Sequence, residues 1–276
     1  MMKPATLLTL TSLLVALVAA PAQAHRVWIK PNTTAVSGSD EWITFDAAIA
    51  NGIFNPDHHA YPLQRLTAWG PDAQPVDMQN TQKLQYRSVF DVQLTEAGTY
   101  KVFAASRTLV ARWTDEDGER HFWPGRGRTG TLEEFRKEVP QDADDLNVTD
   151  SASRVEVFVT AGAPTNTVLK PTGNGLEWAP GLHPNDLYTG EDIALGFLFD
   201  GEPAAGASVT LVRDGEKYRD QDDAITATAD DKGQVNVQFD EPGMYWLEVE
   251  YEDEKAKAPA SQRRGGYSAV IEVLPL

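Results

Sequence analysis

Five histidines carry most of the metal-binding capacity of this sequence, because it contains no cysteine. Without thiols there are no disulfides, no thiolate metal sites and no cysteine nucleophile. His25 stands in "QAHRVWIKP", directly after the small-x-small triplet Ala22-Gln23-Ala24. A chain cut after Ala24 begins with His25, whose α-amine and ring Nδ1 close a six-membered chelate on one metal ion. The unperturbed pKa values of amine and imidazole are about 8 and about 6.5, so both release their protons to a metal near neutral pH. Anywhere else in a chain the same nitrogen is an amide and the chelate does not form.

Two more imidazoles lie in "FNPDHHAYP", residues 54–62. In a regular strand His58 and His59 would point to opposite faces and only one could join a site. Pro56 and Pro62 favour a loop, in which both rings can turn to one centre while Asp57 supplies an oxygen or orients a ring from behind. His121, beside aromatics in "ERHFWPG", is a further candidate ligand on an expected loop, and His183 in "GLHPNDLYTGED" reads as a turn residue. Three nitrogens in a tetragonal arrangement suit copper or nickel, and added carboxylate or water suits cobalt or zinc. Only Met78 and Met244 lie beyond residue 24, which argues against a methionine-rich Cu(I) site.

Other motifs point away from catalysis. "PGRGRTG" (124–130) lacks the Lys-Ser/Thr ending and the strand-to-helix setting of a phosphate-binding loop. "TDEDGER" (114–120) lacks the spacing of a twelve-residue calcium loop and reads as a hairpin turn. There is no Gly-x-Ser-x-Gly elbow, so the expectation is a binding protein and not an enzyme.

The elements that must position these side chains begin with export. Residues 1–24 hold Lys3, the apolar run LLTLTSLLVALVAA and the Ala22-Gln23-Ala24 cleavage pattern, the layout of a secretory signal. The apolar run falls short of the roughly 20 residues that span a bilayer, so no membrane insertion is expected. Removing 24 of 276 residues leaves 252, with 23 basic residues (24 minus Lys3) against 41 acidic ones, a formal charge of −18. Such a balance repels phosphate backbones and anionic lipid headgroups, which excludes nucleic acid as a partner and favours cations.

Period-2 alternation dominates the rest, in "EWITFDAAI" (41–49), "SVFDVQL" (88–94), "YKVFAAS" (100–106), "RVEVFVT" (154–160), "IALGFLF" (193–199), "ASVTLVR" (207–213), "QVNVQFD" (234–240), "YWLEVEY" (245–251) and "YSAVIEVL" (267–274). Runs of this kind, bounded by Gly, Pro, Asn or Asp, are half-buried antiparallel strands. One helix is expected near 131–139, opened by the capping box Thr131/Glu134 and closed near Pro140. "TEAGTYKVFA" (95–104) and "DEPGMYWLEV" (240–249) share an acid-x-Gly-x-Tyr turn feeding a strand, the trace of two units of one design. The expected organisation is all-β: a signal peptide at 1–24, an N-terminal sandwich at 25–163 and a C-terminal sandwich at 164–276, with the seam in "TAGAPTNTVLKPTGNG" (160–175). Arg263 and Arg264 in "ASQRRGGY" are assigned to local charge compensation.

"AHRVWIKP" after a signal, "KPTGNGLEWAP", "HPNDLYTGEDIALGFLFDGEPAAGASVTL", "DDKGQVNVQFDEPGMYWLEV" and the closing "ASQRRGGYSAVIEVLPL" resemble the exported bacterial proteins of the domain of unknown function 4198 family. Members of that family are often labelled periplasmic components of nickel or cobalt uptake systems. The resemblance implies two sandwiches, the second of transthyretin-like or carboxypeptidase-regulatory-like type, and a metal role for the mature N-terminal His25. The expected function is therefore a periplasmic protein that binds a divalent transition metal (nickel, cobalt or copper) for uptake or delivery, with a membrane metal transporter as partner. Its candidate ligands are His25, His58, His59, Asp57 and His121. Two alternatives stand beside it: a protein that docks a partner through its sandwiches without metal, and a copper oxidase built on a histidine brace.

Overall fold

A computed structural model describes residues 25–125 and 127–276; the expected signal segment lies outside the described residues. In chain order the strands are β1 (Arg26–Pro31), β2 (Ala35–Val36), β3 (Glu41–Ala50), β4 (His59–Ala60), β5 (Thr67–Trp69), β6 (Gln79–Lys83), β7 (Ser88–Leu94), β8 (Gly98–Thr114) and β9 (Arg120–Trp123). After helix α1 (Leu132–Glu138) come β10 (Asn147–Ala161), β11 (Leu176–Trp178), β12 (Ile193–Phe199), β13 (Glu202–Pro203), β14 (Ser208–Arg213), β15 (Ile225–Thr228), β16 (Gln234–Val237), β17 (Gly243–Asp253) and β18 (Gln262–Val273). The fold is an all-β sandwich, as the alternation predicts, and the single α-helix among the described residues falls where its capping box places it. There Glu134 N donates to Thr131 Oγ1 at 3.2 Å and Thr131 N donates to Glu134 Oε2 at 2.8 Å.

Three sheets make the layers. A small sheet runs β1-β3-β7-β6 with β4 on β3, a second runs β11-β12-β13 with β16 on β12, and a long one runs β15-β14-β17-β18-β10-β8-β5 with β2 on β10 and β9 on β8. The long sheet serves both cores. Along β17, Trp246 enters the core that contains Trp28, Phe45 and Phe90, while Tyr245, Leu247 and Val249 enter the core of Phe197, Phe199 and Phe239. Strand β18 splits the same way, with Val270 on the first side and Tyr267, Ala269 and Ile271 on the second. Opposite faces of a strand alternate with period two, so one apolar-rich strand can close two cores at once. The parallel pairing of β10 with β18, which sets Val155 against Ser268 and Val157 against Val270, is the join between the halves.

The repeated acid-x-Gly-x-Tyr turn has a physical basis. Tyr100 OH donates to Glu96 O at 3.0 Å, and Tyr245 OH donates to Glu241 O at 2.7 Å, each a tyrosine corner that fixes the entry into a long strand. Gly98 and Gly243 sit between them at φ 133° and 138°, a region that a side chain disfavours.

A buried polar knot fastens the chain leaving β10. Arg154 donates through Nε to Leu176 O at 3.0 Å and through Nη2 to Asn174 O at 3.1 Å, and pairs with Glu177 at 3.0 Å. Glu177 in turn accepts from the backbone of Thr172 and Gly173. Buried charges persist only when paired and hydrogen-bonded in this way. On the surface of the same sheet Arg263 bridges Asp200 at 2.8 Å and Asp253, and Arg264 meets Glu250 at 2.8 Å. Both arginines thus compensate local acid, and Asp253 is held down at about 2, first by the Arg263 hydrogen bond. Among the described residues no helix is long and apolar enough to cross a membrane.

Candidate metal centre

Strand register gathers the histidines. Ile49 of β3 faces Val27 of β1 on one side and His59 of β4 on the other, and directly opposed residues share a face. His25 lies two residues before Val27 and so returns to that face. The loop between β3 and β4 then carries His58 between them. The His25 and His58 rings stack with centroids 4.1 Å apart and planes 6° from parallel, and the His58 and His59 rings lie 4.0 Å apart at 44°. His58 and His59 therefore do turn to one place, as the two prolines predict: His58 sits in a bend and only His59 belongs to a strand.

Asp57 supports the loop. Its Oδ1 accepts from Asn51 N at 2.9 Å and its Oδ2 from Asn51 Nδ2 at 3.3 Å, which closes the turn that delivers His58. Engaged in this way the carboxylate orients the loop segment; its hydrogen bonds go to Asn51 and to neither imidazole, so it plays neither the ligand nor the ring-orienting role expected of it.

The strongest holds on this site come from far along the chain. Glu216 accepts from Arg26 Nη1 at 2.9 Å through Oε1 and from Ile53 N at 2.8 Å through Oε2. One carboxylate thus ties the residue after His25 to the loop that leads to His58. Asp222 takes the other Arg26 nitrogen at 3.2 Å, Lys30 meets Asp214 at 2.6 Å, and Trp246 Nε1 donates to Val27 O at 2.9 Å. Sequence reasoning missed Glu216; its one signal was the acid-rich "DGEKYRDQDD" (214–223), whose charge has to be answered by something basic.

The donor set suits a borderline cation such as nickel, cobalt or copper, since neutral imidazole is its preferred nitrogen ligand. Burial first, then the positive potential of His59 and His25, hold the His58 imidazole below its usual pKa, against the opposing pull of Asp57. That keeps it in the neutral form a metal needs. The rings are stacked and their nitrogens do not all converge within 4.8 Å, so a side-chain rotation separates this arrangement from a closed chelate. Metal–nitrogen bonds of about 2 Å set donors about 3 Å apart, a spacing that neighbouring rings at 4 Å reach by turning about their χ angles.

His121 belongs elsewhere. The expected loop is strand β9, in which His121 pairs with Trp113 of β8 and stacks on its ring at 5.1 Å. Its Nε2 lies 2.7 Å from Asp115 Oδ2, and Asp115, Glu119 and His121 bring their donor atoms within 4.8 Å of one another. "TDEDGER" is the hairpin turn it resembles: Asp115 Oδ1 accepts from the backbone of Asp117 and Glu119. Alternation over "RHFW" was too short to separate strand from loop. His183 is a structural residue, with Nε2 3.0 Å from Thr99 Oγ1 and Nδ1 accepting from Asn185 N at 3.1 Å.

The sequence matches the family model of the domain of unknown function DUF4198 over residues 22–253. The chain belongs to the DUF4198 family. No curated protein matches it. Among solved structures this DUF4198 chain is similar to the human OSCAR ligand-binding domain, at 12% identity over 90% of this chain and 99% of that one, with a TM-score of 0.20. It is also similar to a D1–D4 ectodomain fragment of ICAM-5 (10% identity, 91% of this chain and 51% of that one, TM-score 0.23) and to the D0–D1 domain of intimin (10%, 89% and 97%, TM-score 0.21). Likeness at this level carries no argument about what the DUF4198 chain does.

Proposed function

We propose that this protein is exported, is cut after Ala24, and binds a divalent transition metal as cargo for uptake or delivery in the periplasm. His25 supplies the freed amine and its imidazole, and His58 or His59 supplies the next nitrogen. Nickel, cobalt and copper all fit such a set. The metal is handed on, with a membrane transporter as the natural recipient, and no catalytic step is assigned.

The observation that carries this reading is the contact between His25 and His58, more than thirty residues apart in sequence, at 4.1 Å, with the adjacent His59 ring 4.0 Å from that of His58. Like charges repel, so the His58 ring, packed against two other imidazoles and held below its usual pKa, favours the neutral form that a cation can bridge. Among the described residues none of the three has a carboxylate partner to spend its nitrogens on. Titration of the processed protein with Ni(II), Co(II) and Cu(II) tests the reading. One equivalent bound tightly, with His58 and His59 ring signals shifted or broadened in NMR, is the expected result. Absence of saturable binding for all three ions would hand the protein to the docking alternative.

A further inference from the structure

His25 also borders a cleft of about 570 Å³. Its origin lies in strand length. The small sheet ends with β1 and β3 at Arg26 and Ala50, whereas β8 and β10 run on for 17 and 15 residues in all. Under the small sheet the cross-strand row Trp246, Val270, Val157, Val102 is apolar and closed. The next row in register, Glu248, Ser268, Val155, Ala104, lies where that cover stops, and the row after it brings Ser153 and Ser106 together. The floor therefore turns from apolar to polar at the point where His25 stands over it.

Several of these groups have no internal use. Ser268 is 9% exposed and its hydroxyl has no hydrogen-bond partner among the described residues, although it lines the cleft. Glu248 faces it from the neighbouring strand, also without a partner among the described residues, and burial raises its carboxyl pKa. Arg65 and Arg128 stand at the walls. Neither has an ion-pair partner among the described residues, in a chain with 41 acidic residues available. A hydrated ion alone fits this space poorly. A water molecule occupies roughly 30 Å³, clefts of this size hold small organic molecules, and two guanidinium groups repel a bare cation while they pair with carboxylates.

Resting on the reading of His25 as a metal ligand, we propose that the cleft holds a small hydroxycarboxylate chelator, so that the cation reaches His25 as a complex and not as a bare ion. The arginines take carboxylates, and Ser268 with Glu248 takes the chelator's hydroxyl. His25 completes the coordination from the rim.

Calorimetry on the processed full chain with Ni(II) alone, citrate alone and preformed nickel–citrate tests this. Nickel–citrate is expected to bind at least tenfold more tightly than Ni(II) alone, and the Arg65→Ala/Arg128→Ala variant, altered only at exposed side chains, is expected to bring the two affinities together. Ser268→Ala should remove part of the same gain. If Ni(II) binds and citrate merely competes for it, the chelator inference is overturned and the histidine site stands. If neither nickel form binds, both fall. Citrate binding equally well with and without nickel, or a gain that survives the double arginine variant, also overturns it.

Discussion

Two groups of ligand-type side chains lie on this protein, and they differ in who holds them. On the β8–β9 hairpin, Asp115, Glu119 and His121 come from seven consecutive residues, and the turn itself claims Asp115: its carboxylate takes two backbone N–H groups with one oxygen and the His121 ring with the other. Around His25, the His25, His58 and His59 rings come from two separate segments and have no partner for their nitrogens among the described residues, while Glu216, 190 residues from Arg26, does the holding. A local turn needs its polar atoms for its own closure. A site supported from a distance can leave its functional atoms free, which is what metal capture requires.

The largest effect that sharpens this contrast is the loss of two donors. His58→Ala/His59→Ala should weaken Ni(II) or Cu(II) binding about 100-fold or more, since each further donor on one ion binds nearly intramolecularly. His121→Ala should leave that affinity within twofold in the same calorimetric titration. Equal losses at both places would erase the distinction between the two groups.

A smaller effect belongs to the support. Glu216→Gln keeps the shape of the side chain but weakens the ion pair to Arg26, and outer partners of metal ligands are worth about 10- to 100-fold in affinity; the expected loss is about tenfold. Adding back a carboxylate as Glu216→Asp should restore part of it. A variant that loses thermal stability but keeps the affinity would show that Glu216 serves the fold alone.

Much of the fold was legible because apolar alternation over seven residues or more leaves little choice: 88–94 and 193–199 are strands β7 and β12 to the residue. The Thr131/Glu134 box and the two Tyr-led turns were legible because each is a local hydrogen-bond pattern with a fixed spacing. Strand β6 was not, since "QNTQK" is exposed at every position and carries no periodic signal. Nor was the parallel join of β10 to β18, which depends on the completed sheet. At the candidate site the prolines around His58-His59 told of the bend at His58, whereas the contact with His25 comes from the register of β1, β3 and β4 and was not legible. His121 failed as a companion because sequence adjacency to aromatics says nothing about which strand partner a histidine will face, and here it is Trp113.

The smallest predicted effects are in pH. His58 has its pKa lowered in the folded protein, so its neutral ring contributes stability above the ordinary histidine value and loses it as pH falls below about 6.5. Asp115 is lowered by the His121 hydrogen bond first and by the Glu119 backbone next, so the hairpin pair contributes above the ordinary carboxylate value and loses it only as pH falls below 3.8. NMR of the ring protons should therefore show the His25–His58 contacts opening first on acidification, while His121 stays on Asp115. The reverse order would contradict the description of the hairpin as self-satisfied.

The central claim is that a freed amine at His25 is part of a metal site. Protein processed after Ala24 and protein made with one extra Met before His25 have identical side chains from His25 onward, but only the first has the amine–imidazole chelate. Calorimetric titration of the two with Cu(II) or Ni(II), at one pH and salt, should show about 100-fold or more weaker binding for the Met-extended form, with no change in fold by circular dichroism. Equal affinities would mean that the N-terminal amine takes no part in binding.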